Sequence, residues 1–280
     1  MADMNVKGLQ RFVDYFKGLE HSYILIGGAA CDVWLSDRGF PFRVTKDLDL
    51  VIVVEALEPA FFARFWTFIR NGRYRSHQQS ESRPTFYRFT DPEASGYPSM
   101  IELLSRNHLE LPAGTHLTPI PADEDISSLS AILLDDTYYR FVVQSRTMVN
   151  GVPLIPAQCL IPLKARAWLD LTARKTAGAA NVRGADIKKH RNDVFRLYRS
   201  LVATDRFALP DRLRSDLASF LNSFPPNSPD WPAILKAVGN PALPDPATII
   251  TQLRAMFDLA GNPKGTSIAI TVSALAYPET

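Results

Sequence analysis

The order of apolar and polar positions predicts a short buried strand that ends at a pair of glycines. Residues 23–26 form an unbroken apolar run, Tyr-Ile-Leu-Ile, and Gly27 and Gly28 follow it directly. A short apolar run that ends in glycine is typical of a buried strand entering a tight turn. Apolar residues then recur at helical spacing, so we expect a helix that begins at Gly28 or just beyond: Ala29, Ala30, Val33, Trp34 and Leu35.

A second strand is predicted at residues 47–54, and its first residues are acidic. Side chains alternate along a strand, so Asp47 and Asp49 share one face while Leu48 and Leu50 share the other. Two carboxylates on one face repel each other unless a cation lies between them. Their oxygen atoms suit Mg²⁺, which takes further ligands from phosphate.

The glycine pair adds a place for an anion. Glycine lets the backbone N–H groups and the N-terminus of the following helix approach a phosphate closely. An anion site followed by a metal-binding pair of acids is the equipment needed for phosphoryl or nucleotidyl transfer.

The remaining N-terminal half predicts an α+β arrangement. We expect an amphipathic helix at residues 5–19 and another from Pro59 that ends before Asn71. Residues 85–89 and 99–104 are predicted as an antiparallel strand pair. Glu102 is the one acid within the second of these strands, so it faces either solvent or a metal. The following segments are predicted as a loop or lid at 105–127, a helix at 129–143 and a short strand at 148–155.

The C-terminal half is predicted to be mostly helical. The apolar spacing favours a helix at 160–171 and another at 186–198, with a polar loop at 172–184 between them. Prolines break the rest repeatedly. Further predictions are helices at 212–221, 231–238 and 248–259 and an alternating, strand-like segment at 267–273.

Composition limits the function classes. The chain has 280 residues, of which 46% are hydrophobic and 21% charged, as in ordinary soluble globular proteins. Its formal net charge is only +2, so a nucleic-acid site would have to be local. Two cysteines are too few for a disulfide framework or a zinc site. No apolar run is long enough to span a membrane and the N-terminus lacks a signal-peptide core, so we expect a cytoplasmic protein.

Gly27 and Gly28, followed by Asp47-Leu48-Asp49, resemble the signature of the polymerase-β-like nucleotidyltransferase superfamily. Within it the chain is most similar to the AbiEii/AbiGii group, the toxin halves of bacterial toxin–antitoxin pairs, which share a fold core with the MenT toxins. In the superfamily a third carboxylate comes from a later antiparallel strand, and residues 98–104 are similar to the group's pattern there. The resemblance therefore implies that Glu102 is the third carboxylate.

The resemblance covers roughly residues 20–200 and extends to two later helices. The group has a Leu-Lys-x-x-Ala helix whose lysine faces the triphosphate, and Lys164 matches that lysine. Asp193 matches an aspartate on the next helix. The group often has an acid three residues earlier, where this chain has His190, so a role for such an acid pair is not carried over.

The resemblance implies a polymerase-β-like core, a mixed sheet flanked by helices, over residues 1–150. A mostly helical domain over residues 151–280 would complete the nucleotide cleft. The implied enzyme moves an NMP from an NTP to an acceptor hydroxyl on tRNA or a protein, and a cognate antitoxin would neutralise it.

The implied site residues fall into three overlapping sets. Mg²⁺ or Mn²⁺ is expected on Asp47, Asp49 and Glu102, and the same three residues with Lys164 are the catalytic set. Thr45 and Arg43 are interpreted either as site residues or as ordinary strand-edge residues. The nucleotide-binding set is Gly27, Gly28, Thr45, Lys46, Lys164 and Asp193.

Three alternatives remain open from the sequence. Lys188, Lys189 and Arg191 are either contacts for an acceptor RNA or solvated charges on a helix. A small-molecule nucleotidyltransferase of the aminoglycoside-modifying kind would use the same three acids, but it would call for an acidic acceptor cleft. A catalytically lapsed nucleotide-binding module is the third reading, against which the presence of all three carboxylates argues.

Overall fold

The structure is a computed structural model. It describes residues 6–53, 56, 58–76, 86–104, 135–239 and 243–259. The predictions at 105–127 and 267–273, and the first part of the helix predicted at 129–143, lie outside them.

A mixed sheet forms the centre of the N-terminal half. In the described residues it has seven strands in the order β3-β4-β5-β2-β1-β7-β6, with β2 in the middle. The strands are β1 (Tyr23–Ile26), β2 (Asp47–Ile52), β3 (Arg75–Ser76), β4 (Phe86–Thr90), β5 (Met100–Leu104), β6 (Thr147–Val149) and β7 (Val152–Leu154).

The register around β2 decides which residues share a face. β2 pairs antiparallel with β1, where Ile26 lies opposite Asp49, and parallel with β5, where Asp49 lies opposite Glu102. β5 pairs antiparallel with β4, where Glu102 lies opposite Arg88. Directly paired residues point to the same face of a sheet. Asp49, Glu102 and Arg88 therefore form one row across three neighbouring strands.

The opposite face of the sheet is covered by aromatic side chains from two helices, α1 (Leu9–Tyr15) and α3 (Pro59–Gly72). Phe12 packs edge-on against Tyr23 of β1, and Phe65 of α3 packs against Phe89 of β4. These rings bury large apolar areas, which anchors the sheet on this side and leaves the other face available for the site. The fully buried rings of the cluster are Phe12, Phe16, Tyr23, Phe61, Phe65 and Phe68.

Helices also pack beside the acid-bearing face. α2 (Gly27–Asp37) contacts β1 and β2, and it also contacts α5 (Ala157–Thr176) and α6 (Gly184–Tyr198). α5 and α6 pack extensively on each other. The remaining helices are α4 (Asp136–Gln144), α7 (Asp211–Asn222), α8 (Trp231–Val238) and α9 (Pro246–Met256).

The α+β class, the mixed sheet flanked by helices and the helical C-terminal part are confirmed. One continuous hydrophobic core runs from the sheet residues to Leu217 of α7 and Ile249 of α9. The predicted division at residue 150 falls in the turn between β6 and β7, and the two-domain division stays a prediction. No described helix combines the length and the apolarity that a membrane crossing requires.

Several predicted elements differ from the structure. The prediction of a loop at 172–184 was wrong in its first part, because α5 continues to Thr176. Gly178, whose φ is +88°, follows the end of the helix. The short strand predicted at 148–155 is a hairpin of β6 and β7 that turns at Asn150 and Gly151, both with positive φ. α3 continues to Gly72, past the predicted end before Asn71.

The first predicted helix is shorter than expected, since α1 covers only Leu9–Tyr15 of the predicted 5–19. β5 runs antiparallel to β4, as predicted, but parallel to β2.

Candidate functional site

The row of Asp49, Glu102 and Arg88 forms the sheet side of a cleft. Nε of Arg88 donates a hydrogen bond to Oε1 of Glu102 at 2.6 Å. This contact gives Glu102, which is 3% exposed, the opposite charge that a buried acid requires. Asp47 lies two residues before Asp49 on the same face of β2, and both are half-buried.

Gly27 makes room for the Asp49 carboxylate. Its φ is +70°, and a Cβ built on it would lie 1.8 Å from Oδ2 of Asp49. An L-residue would therefore meet both a strained backbone and a direct clash. The glycine pair of the sequence thus has a steric reason: the turn from β1 into α2 passes directly against the acid of β2.

The start of α2 is open to the cleft. Gly28 lines it, and a Cβ there would lie 2.9 Å from Oγ1 of Thr45 and 3.1 Å from Nη2 of Arg43. The residue before α2 is Ile26, whose side chain cannot accept a hydrogen bond from the first helical N–H groups. A helix N-terminus without a side-chain cap is suited to receive an anion.

Cations gather around Asp193, which is fully buried on α6. Arg43 donates to both of its carboxylate oxygens, at 3.2 and 3.0 Å. Arg196 donates at 2.9 Å, and Nζ of Lys164 lies 3.5 Å away. Burial alone would raise the pKa of Asp193, but Lys164 and Arg43 together lower it to about 2. The ionised carboxylate therefore joins the segment before β2 to α5 and α6.

The acids of β2 and β5 line the same cleft as Lys164, and its volume is about 590 Å³. That volume is within the range of small-molecule binding sites. The predicted residues that line it are Gly28, Thr45, Asp47, Asp49, Glu102 and Lys164; the others include Arg88, Lys189 and His190.

The environment of Asp47 and Asp49 disfavours the ionised form of both carboxyl groups. Burial and the neighbouring charge of Glu102 raise the pKa of Asp49 to about 6. Burial and Asp49 likewise raise the pKa of Asp47. The ionised form of Asp49 is therefore less favourable than in a free aspartate, and a bound cation would stabilise that ionised form.

The donor set fits a divalent metal in part. Asp47 and Asp49 offer two carboxylates on one face, the hard oxygen ligands that Mg²⁺ requires. Glu102 is adjacent to Asp49 but paired with Arg88. Within the described ranges, no group of three or more His, Cys, Asp or Glu side chains is arranged as a ready metal site. The residues that fit a metal are thus Asp47 and Asp49, and a role for Glu102 as a ligand stays a prediction.

The raised pKa of Asp49 predicts a stability effect that depends on pH. Its folded pKa of about 6 lies above the unfolded value of 3.8. As pH rises between these values the unfolded chain loses this proton first, so the folded state becomes less favourable. Without metal, we expect Asp49→Asn to raise the free energy of unfolding at pH 8 by roughly 2 kcal/mol. Urea unfolding in EDTA measures the change.

The same substitution is expected to gain little at pH 4, where the folded protein keeps Asp49 protonated. Asp14→Asn, at an exposed position on α1, is the control and should have little effect at either pH. An equal gain from Asp49→Asn at both pH values would contradict the electrostatic cause.

The structure separates the remaining predicted residues. Gly27 packs on Asp49, and Asp193 lies behind Lys164 without lining the cleft. The side chain of Lys46 is exposed and is not among the lining residues. Arg191 pairs with Asp230 at 2.6 Å and is 6% exposed, which contradicts its reading as a contact for RNA.

Two cleft residues had no such role in the sequence interpretation. The role of Arg88 can be recognised only from the register of β4 and β5, since Arg88 lies fourteen positions from Glu102 in the chain. The sequence pattern groups Lys189 with Lys188, but Lys188 is exposed and outside the cleft. The helical signal was available, because Lys189 precedes Asp193 by four residues and shares its face.

The sequence matches no protein-family model and no curated protein, so the resemblance to the AbiEii/AbiGii group stays a prediction. Among solved structures, the chain is similar to an antigenic nucleotidyltransferase-like protein from Paracoccidioides brasiliensis. The two are 19% identical, the match covers 84% of this chain and 94% of the other, and the TM-score is 0.43.

Proposed function

We propose that the protein is a metal-dependent nucleotidyltransferase, which transfers an NMP from an NTP to an acceptor hydroxyl. The observation that carries the proposal is the composition of one cleft. Asp47, Asp49 and Glu102 line its sheet side, while Lys164 and Lys189 line its helical side. Acids that hold a metal beside cations that hold phosphates are what this chemistry requires.

The position of each residue in the cleft indicates its role. Asp47 and Asp49 would hold Mg²⁺ or Mn²⁺, which when bound neutralises phosphate charge. Gly28 and the N-terminus of α2 receive phosphate oxygens through backbone N–H groups. Lys164 faces the cleft from α5, where its charge stabilises the departing pyrophosphate. Asp193 acts indirectly, because its carboxylate holds Lys164 and Arg43 in position.

The transfer itself is an in-line displacement. The acceptor oxygen forms a bond to the α-phosphorus, and the bond from that phosphorus to the bridging oxygen breaks, releasing pyrophosphate. The hydroxyl proton passes to Glu102, which acts as the base in this proposal. Since Arg88 pairs with Glu102, the base is held in one orientation beside Asp49.

The finer proposal follows from the resemblance described above. The chain would be a toxin that modifies tRNA or a protein in the cytoplasm and is neutralised by a cognate antitoxin. Arg174, Arg183 and Lys189 lie along the cleft beside one acid, Asp186, so the net charge of its helical side is positive. A basic wall favours a polyanionic acceptor such as tRNA over a cationic small molecule.

The proposal predicts label transfer that depends on the acids of β2. The purified protein is incubated with Mg²⁺, each of the four α-³²P-labelled NTPs in turn, and total tRNA. We expect label on the tRNA with at least one NTP, and a loss of at least about 10³-fold in the Asp47→Asn/Asp49→Asn variant.

The double variant keeps the size of both side chains, so it serves as the matched control. Label on the protein itself would indicate a protein acceptor. If neither the tRNA nor the protein were labelled while the protein still bound NTP, transfer to a macromolecule would be contradicted. That result would favour the small-molecule enzyme or the binding module.

A further inference from the structure

Among the residues that the structure describes, Lys189 differs from the other cations of the site in having no ion pair. Asp193 is bonded to Arg43 and Arg196 and lies beside Lys164. Lys189 forms no ion pair or hydrogen bond with any residue in the part of the chain that the structure describes. Its charge is therefore not neutralised by a direct contact.

The position of Lys189 is unfavourable for a cation alone. It is half-buried on α6, lines the cleft, and lies near two other positive groups, Lys164 and Arg43. Burial lowers the pKa of Lys189, and the charges of Lys164 and Arg43 lower it further. Keeping the charge of a partly buried lysine beside other cations is unfavourable in free energy, and a bound anion would offset this.

The carboxylates of β2 lie near Lys189 without pairing with it. The charge of Lys189 opposes the rise in the pKa of both Asp47 and Asp49, so it lies within electrostatic range of both. If Asp47 and Asp49 held a metal ion, that ion would neutralise the negative charge of the two carboxylates. The ammonium group would then face the cleft with no competitor for a phosphate.

We infer that Lys189 binds the polyphosphate chain of the nucleotide and is the main phosphate ligand of the cleft, because Asp193 already holds Lys164. The inference rests on the proposed function for the identity of the ligand. It divides the cations into two kinds. Lys164, which is 1% exposed, contributes a fixed charge, and Lys189 reaches the ligand.

The test is direct binding of inorganic tripolyphosphate to the full chain, by calorimetry in low salt with Mg²⁺ present. We expect Lys189→Gln to weaken binding about tenfold or more, because a charge-assisted contact is lost. Lys188→Gln removes the same charge from the exposed neighbouring position and should change the affinity by less than about twofold. Lys189→Arg should restore most of the affinity.

The readout does not require transfer activity. Removing a cation that has no ion pair should leave the melting temperature unchanged or raised, so weaker binding would not reflect unfolding. Equal affinities of wild type and Lys189→Gln, or no binding by wild type, would overturn the inference. Tripolyphosphate binding that depends on Lys189, in a protein that labels neither tRNA nor itself, would contradict transfer to a macromolecule and still support the phosphate site.

Discussion

Replacing Asp193 with alanine is expected to lower the free energy of unfolding by about 3–5 kcal/mol. Asp193 is fully buried and is the only described acid in contact with Lys164, whose side chain is 1% exposed. Its removal leaves a buried ammonium without its counter-charge, which is costlier than losing an exposed ion pair. Arg43 loses both of its hydrogen bonds to Asp193 as well.

Urea unfolding at pH 7 measures this loss. Asp186→Ala is the matched control, since Asp186 lies on the same helix and pairs with Arg183, whose side chain is 81% exposed. An exposed pair of this kind contributes about 1 kcal/mol or less. A loss from Asp193→Ala no larger than the control's would show that the cations do not depend on Asp193.

The effect also has a defined pH range. The pKa of Asp193 is about 2 in the folded protein against 3.8 in the unfolded chain. A depressed pKa contributes stability that is present above the unfolded value and is lost as pH falls through the folded one. The difference between wild type and Asp193→Ala should therefore be constant at neutral pH and shrink only below about pH 4.

Local patterns were sufficient to predict the acid-bearing strand and the glycine turn. Strand alternation places Asp47 and Asp49 on one face, and the observed β2 has this arrangement. The same reasoning failed at the end of α5, where Thr172 to Thr176 were interpreted as loop because they are polar. A solvent-facing last turn has no apolar signal, so only the glycine at 178 marked the true end.

The electrostatic network could not be predicted from local patterns. Arg43 and Asp193 are separated by 150 positions, and their contact depends on how α6 packs against the segment before β2. The Arg88–Glu102 pair depends on strand register. Sequence therefore identified several of the ionisable side chains of the site, while their partners required the tertiary structure.

Gly27→Ala is expected to abolish most of the proposed transfer activity, with a loss of at least about 10²-fold. The new Cβ would lie 1.8 Å from Oδ2 and 2.7 Å from Cγ of Asp49. The carboxylate must move, and a displacement of about 1 Å at a reacting site is enough for a loss of this size. The φ of +70° adds backbone strain of about 1 kcal/mol.

Gly39→Ala separates the strain from the clash. Gly39 has nearly the same backbone angle, φ +75°, but a Cβ there meets no atom within 4 Å. Both variants should therefore lose similar stability from the positive φ, and only Gly27→Ala should lose label transfer and Mg²⁺-dependent NTP affinity. Full activity in Gly27→Ala would mean that the position of the Asp49 carboxylate does not matter for the reaction. A matching loss in Gly39→Ala would instead attribute the effect to stability, since that glycine has no contact with the cleft.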